Sequence, residues 1–163
     1  MIEAILIDAI LIGAGATAVL DLWSLARNRL AGAAAPDYAP VGRWLAHMTR
    51  GQFVHRAIAR SAPVKGERLL GWSAHYLTGI AFAGALLAVF PAWAREPTLL
   101  PALIAGITSA AAPFLLMQPG MGLGLAARRA PDPRAARLRT LTTHTVFGLG
   151  LYAAGWALRA IAF

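Results

Sequence analysis

The stretch GERLLGWSAHYLTGIAFAGALLAVF, residues 66–90, carries no charge after Arg68, yet it holds a histidine, His75, about two turns in. Its length and polarity decide the class of fold. Lipid offers no partner to an unpaired backbone amide, so an apolar run of this length is stable in a bilayer only as a helix that satisfies its own hydrogen bonds. Three more runs of the same kind flank it. The four spans are 4–26, 69–93, 98–118 and 138–163, each near the ~20 residues that cross a hydrocarbon core of ~30 Å. The expected fold is all-α, an integral membrane four-helix bundle forming one membrane domain over residues 1–163. Composition agrees: 58% of residues are hydrophobic and 13% charged, where a soluble domain has roughly 25% charged. Mean hydropathy is +0.60. The absence of cysteine excludes disulfides, thiolate metal sites, iron–sulfur clusters and cysteine nucleophiles.

The cations set the orientation. Of 15 Lys and Arg, eight fall between Arg27 and Arg68 and five between Arg128 and Arg139. The positive-inside rule places the connections 27–68 and 119–137 in the cytoplasm and both termini outside. Glu3 and Asp8 stand where a secretory signal carries positive charge, so the first run reads as a retained helix. Topology already accounts for the net charge of +8, so nucleic acid is not an expected partner. The expected partners are a bilayer with anionic headgroups and either a second copy or a membrane complex.

The first connection has a pattern of its own. In VGRWLAHMTRGQFVHRAIARS, residues 41–61, Val41, Trp44, Leu45 and Met48 recur at helical spacing opposite Arg43, His47 and Arg50. Phe53, Val54, Ala57 and Ile58 continue the apolar side after Gly51. The pattern predicts a broken amphipathic helix lying in the interface between spans 1 and 2. In the other connection Gly120, Gly122 and Gly124 alternate with no strand before them, which a phosphate cradle requires. Pro119 and Gly120 there end span 3.

Depth gathers the polar residues of the spans. Asp21, His75 and His144 lie roughly 7 to 9 Å below the same cytoplasmic surface at 1.5 Å per residue, and Gln118 closes span 3 at that level. Small residues one turn away mark the faces turned toward other helices: Gly13, Thr17 and Asp21; Gly71, His75 and Gly79; Thr140, His144 and Gly148. A glycine four residues after His75 and after His144 is a shared spacing that two hairpins in parallel repeat would produce.

These faces bring Asp21, His75 and His144 toward one another. Neutral imidazole suits copper, zinc and iron, and an outer carboxylate fixes its tautomer. The first expectation is therefore a metal ion or haem held by His75 and His144, with Asp21 or Glu67 as carboxylate ligand or orienter. The alternatives are a small transporter or proton relay in which Asp21 and His75 exchange a proton, and a structural or assembly subunit whose basic connections dock a partner. Separate hydrogen bonds between helices account for the same residues with no chemistry. No nucleophile motif or paired-histidine zinc signature points to an enzyme.

The strings GATAVLDLW, GRWLAHMTRGQFVHRAIA, GERLLGWSAHYLTGIAFA, PTLLPALIAGITSAAAPFLLMQPGMGLGLAA and HTVFGLGLY resemble a family of small bacterial integral membrane proteins, domain of unknown function 2938. The resemblance runs from about Gly13 to Tyr152. It implies a four-helix protein of the bacterial inner membrane, with the outward-facing termini in the periplasm, and carries over no catalytic role. It marks Asp21, Trp23, Arg43, Trp44, His47, His55, Glu67, His75, Tyr76, Gln118 and His144 as members of the family's motif strings, all four histidines among them.

Overall fold

The computed structural model describes residues 2–162; Phe163, the last residue of the expected span 138–163, lies outside them. Among the described residues there are four long helices, one short helix and no strand. Helix α1, Ile2–Ala31, begins with Glu3 and ends with Arg29, each complementing the helix dipole at its own end. It runs five residues past the expected span and stops where Gly32 takes a left-handed conformation, φ +62°. The guanidinium of Arg27 in that extension lies 4.7 Å over the Trp23 ring.

Helix α2, Ala39–Met48, opens with Pro40 in its first turn and with Asp37 Oδ1 accepting the Ala39 N–H at 3.0 Å. The second half of the predicted amphipathic helix is not helical. After Gly51, at φ +76°, the chain is irregular through Phe53 and Val54 and then makes one 3₁₀ turn, Ile58–Arg60. The physical reason is a competing set of hydrogen bonds. His55 N–H goes to Gly120 C=O (2.8 Å) and Ile58 N–H to Met121 C=O (3.1 Å), partners a local helix would forfeit.

Helix α3, Glu67–Val89, ends before Pro91 rather than at Trp93, whose buried indole instead donates to Thr98 C=O at 3.0 Å. Helix α4 runs over Leu99–Gly120. Pro113 has no N–H to continue the α ladder, and the segment Pro113–Met117 widens into a π turn closed by Gln118 N–H on Pro113 C=O. Helix α5, Pro133–Ala162, starts five residues before the expected span. Asp132 Oδ1 caps the Ala135 N–H at 3.0 Å and Pro133 occupies the first helical position. Three helical stretches are long and apolar enough to cross a membrane: Ile5–Ala31, Glu67–Val89 and Leu99–Gly120. The N-terminal half of α5 carries Arg134, Arg137, Arg139 and four threonines around His144, which makes it the most polar of the four long helices.

The chain forms two compact units. The first comprises residues 2–36, Tyr76–Ser109 and 143–162. Its helices approach through small residues. A side chain at Gly13 would strike the backbone of Gly79 and Ile80, and one at Gly106 the backbone of Gly148. Its core contains Ile12, Ala16, Leu87, Trp93, Phe147 and Leu151. Thus the faces read from spacing do meet other helices: Gly13, Thr17 and Asp21 lie along α3, with Thr17 nearly inaccessible at 1%. The glycines four after each histidine both pack closely, Gly79 on α1 and Gly148 on α4.

The second unit comprises Asp37–His75 and Ala110–Thr142. Helix α2 rests against the start of α3 with backbone almost touching backbone: a side chain at Gly42 would enter the carbonyl of Glu67, and one at Gly71 the carbonyl of Tyr38. Gly122, at φ +98°, faces the Arg56 carbonyl in a position that tolerates neither a Cβ nor an ordinary backbone.

Candidate functional site

The second unit holds the densest polar chemistry. Arg43 on α2 grips Glu67 at the first position of α3 with two parallel bonds, Nε to Oε2 at 2.8 Å and Nη2 to Oε1 at 2.7 Å. Its remaining nitrogen, Nη1, donates to the carbonyls of Ile58 and Ser61 at 3.2 Å each. Glu67 Oε2 also accepts the Val64 N–H at 2.8 Å. One guanidinium thereby fixes both the non-helical segment and the entry to α3. The hydrogen bond to Glu67 raises the pKa of Arg43 above its ordinary value against the lowering effect of burial, and the charges of Glu67 and Asp37 add to the rise.

One turn along α2 from Arg43 stands His47, buried at 6% exposure, and against it His55, at 4%. His47 Nδ1 and His55 Nε2 are 2.8 Å apart, and the ring centroids are 5.0 Å apart with planes 27° from parallel. The centroid separation is about the nitrogen separation plus the two ring radii, so the rings meet edge to edge in a hydrogen bond rather than face to face. His55 Nδ1 is 3.3 Å from Gly120 C=O.

These contacts fix the protons. A carbonyl only accepts, so His55 Nδ1 carries a hydrogen. In a neutral ring His55 Nε2 is then a lone pair, His47 Nδ1 is the donor to it, and His47 Nε2 carries the lone pair that remains. The arrangement is a directed chain, His47 to His55 to Gly120, ending in one basic nitrogen. Trp44 braces it, donating Nε1–H to Phe53 C=O at 2.9 Å and packing its ring against Gly120, where a Cβ would not fit.

The residues singled out by depth also have hydrogen-bond partners. In the first unit Tyr76 donates to Asp21 Oδ2 at 2.9 Å. His144 Nδ1 lies 2.6 Å from Ser109 Oγ, which itself donates to Gly106 C=O at 2.6 Å. The serine hydrogen is therefore committed, His144 Nδ1 is the donor to Ser109, and His144 Nε2 holds the lone pair. In the second unit His75 Nε2 and the Tyr38 hydroxyl are 3.1 Å apart, with Tyr38 stacked on the His75 ring and edge-on to Trp72. Gln118 donates to Thr140 Oγ1 at 3.2 Å while its Oε1 is buried without a hydrogen-bond partner. Glu67 belongs to Arg43. Among the described residues no three His, Asp or Glu side chains gather as a metal site.

Several partners carried no signal in the sequence. Tyr38, Ser109 and Thr140 are polar residues whose role appears only when a second element is brought alongside. His47 and His55 were visible as members of one motif string, but eight positions apart across a glycine they share no helical face.

A family model described as protein of unknown function (DUF2938) matches residues 10–158 of the chain. No curated protein and no solved structure matches it.

Proposed function

The chain belongs to the DUF2938 family, and we propose that it is a multi-pass membrane protein, a four-helix bundle with its basic connections in the cytoplasm, that takes up a proton and shares it within the His47–His55 pair. The observation that carries this reading is the directed imidazole chain. A proton arriving at the lone pair of His47 Nε2 allows the Nδ1 hydrogen to shift 2.8 Å to His55 Nε2, which leaves His47 neutral and His55 cationic. Gly120 C=O accepts a hydrogen bond but is no base, so His55 returns to neutrality through the same bond, its Nε2 hydrogen going back to His47 Nδ1, and the pair holds one proton reversibly. The nearby charges are Arg43, one turn earlier on α2, and Glu67 on α3, which bond each other. Arg50 and Arg56 flank the pair in sequence and are exposed.

Membrane residence draws support from the surface. Leu6, Ile7 and Leu11 on α1, Leu77 on α3, and Ile104, Leu115 and Leu116 on α4 are all half exposed or more, an apolar area that water would not tolerate. A metal ion or haem at His75 and His144 would compete with existing hydrogen bonds, because His75 Nε2 faces the Tyr38 hydroxyl and His144 Nδ1 faces Ser109.

The test is proton binding by the purified chain in lipid nanodiscs over about pH 5 to 8, where histidines change charge. His47→Gln retains a donor for His55 but removes the basic nitrogen. The variant is expected to bind about one proton fewer than the parent, as one imidazole accepts one proton. Equal uptake by the two proteins contradicts the proposal.

A further inference from the structure

Between Gly51 and His55 the chain presents Phe53 and Val54 to the exterior, 59% and 71% exposed. This corner is held rigidly. Trp44 takes the Phe53 carbonyl, and the next N–H, that of His55, is bonded to Gly120. Gly120 is the last residue of the apolar stretch Leu99–Gly120, so the corner is pinned at the level where that helix ends. One turn back on the same helix Leu115 and Leu116 are exposed by 58% and 67%. Arg50 and Arg56, both exposed, bracket the apolar pair.

We infer that Phe53 and Val54 bed into the cytoplasmic leaflet and that Arg50 and Arg56 engage anionic headgroups beside them, which anchors the second unit to the membrane surface. The inference rests on the proposed membrane residence. The occupant follows from three features together: apolar side chains aimed outward from a fixed backbone, their continuity with the exposed leucines of a membrane-length helix, and flanking cations complementary to acidic lipid. A flexible loop would lose the entropy of ordering on insertion, whereas this corner is already ordered.

The chain has no cysteine, so a single one directs a label to one place. An environment-sensitive fluorophore on Val54→Cys, and separately on Leu116→Cys, is read in full-length protein in nanodiscs of phosphatidylcholine with or without phosphatidylglycerol. Lipids bearing a shallow nitroxide and a water-soluble quencher report the surroundings. The expected result is blue-shifted emission at position 54, strong quenching by the lipid nitroxide and protection from the aqueous quencher. Replacing Arg50 and Arg56 by Gln should reduce that lipid quenching in the acidic nanodiscs and not in the neutral ones. A label at 54 quenched from water as readily as free dye, while the label at 116 is quenched from lipid, overturns the anchor and leaves membrane residence standing. Failure of lipid quenching at both positions overturns membrane residence itself. Blue-shifted emission at 54 without lipid quenching places the corner against protein and also refutes the anchor.

Discussion

Replacing Gly79 by Ala tests the seam on which α1 and α3 meet. A Cβ at Gly79 would enter the space of Thr17 Oγ1 and approach Gly13 C=O to 3.2 Å and Phe147 Cε2 to 3.5 Å. Thr17 cannot swing away cheaply. It is 1% exposed, branched at Cβ, and its hydroxyl already bonds Gly13 C=O at 2.8 Å. At Gly84, one and a half turns along the same helix, the nearest atom to a new methyl is Ala9 Cβ at 3.8 Å, an ordinary contact. Both changes gain up to ~1 kcal/mol of helix propensity, but only Gly79→Ala suffers over-packing, which costs about 1–3 kcal/mol. Gly84→Ala should therefore match or exceed the parent in stability, and Gly79→Ala should fall below Gly84→Ala by about 1–3 kcal/mol. Reversible denaturation in mixed micelles gives the numbers, with wild type alongside. A Gly79→Ala protein as stable as Gly84→Ala would refute the assigned seam.

The two buried imidazoles should behave as one unit: His47→Ala, His55→Ala and the double variant should show a coupling of about 0.5–3 kcal/mol in a double-mutant cycle, and strict additivity argues against the bond between them. Arg43→Lys keeps the charge but cannot serve Glu67 and the carbonyls of Ile58 and Ser61 from one planar group. Limited proteolysis is expected to cut between residues 51 and 66 faster in Arg43→Lys than in the parent, and faster again in Arg43→Ala; unchanged rates would remove Arg43 as the organiser of that segment. Elemental analysis and an absorption spectrum of protein purified in mild detergent should give less than one copper, zinc or iron and no haem per chain, whereas a stoichiometric ion lost on His75→Ala would favour the metal reading over the proton pair. Topology reporters at Pro36 and Pro131 are expected in the cytoplasm and one after Phe163 in the periplasm, and a periplasmic signal at Pro131 would reverse the orientation.

The helices and their contact faces were legible because hydropathy and small-residue spacing are local properties of the chain. Asp21, Thr17 and Gly13 were assigned to a packed face, and α3 lies there. The ends were less legible. Hydropathy started the last helix at Leu138, but Asp132 and Pro133 set its first turn through a capping bond that no hydropathy window counts. The apolar rhythm after Gly51 suggested more helix, yet those backbone amides bond Gly120 and Met121, more than sixty residues away in the chain. The same limit applies to the site. Depth alone placed Asp21, His75 and His144 at one level, but hydrogen-bond partners depend on which hydroxyl a neighbouring element delivers, and Tyr76, Tyr38 and Ser109 had no distinguishing context in the sequence. The His47–His55 bond requires a reversal at Gly51 that spacing does not reveal.

The most direct measurement of the central claim is nitrogen-15 NMR of histidine-labelled protein in nanodiscs, with each ring assigned by single His→Gln variants. At the alkaline end of a titration the account predicts protonated Nδ1 on both His47 and His55, bare Nε2 on both, and a through-bond coupling between His47 Nδ1 and His55 Nε2. Bare Nδ1 on His55, absence of the coupling, or a pair that never takes up a proton before the protein unfolds would contradict it.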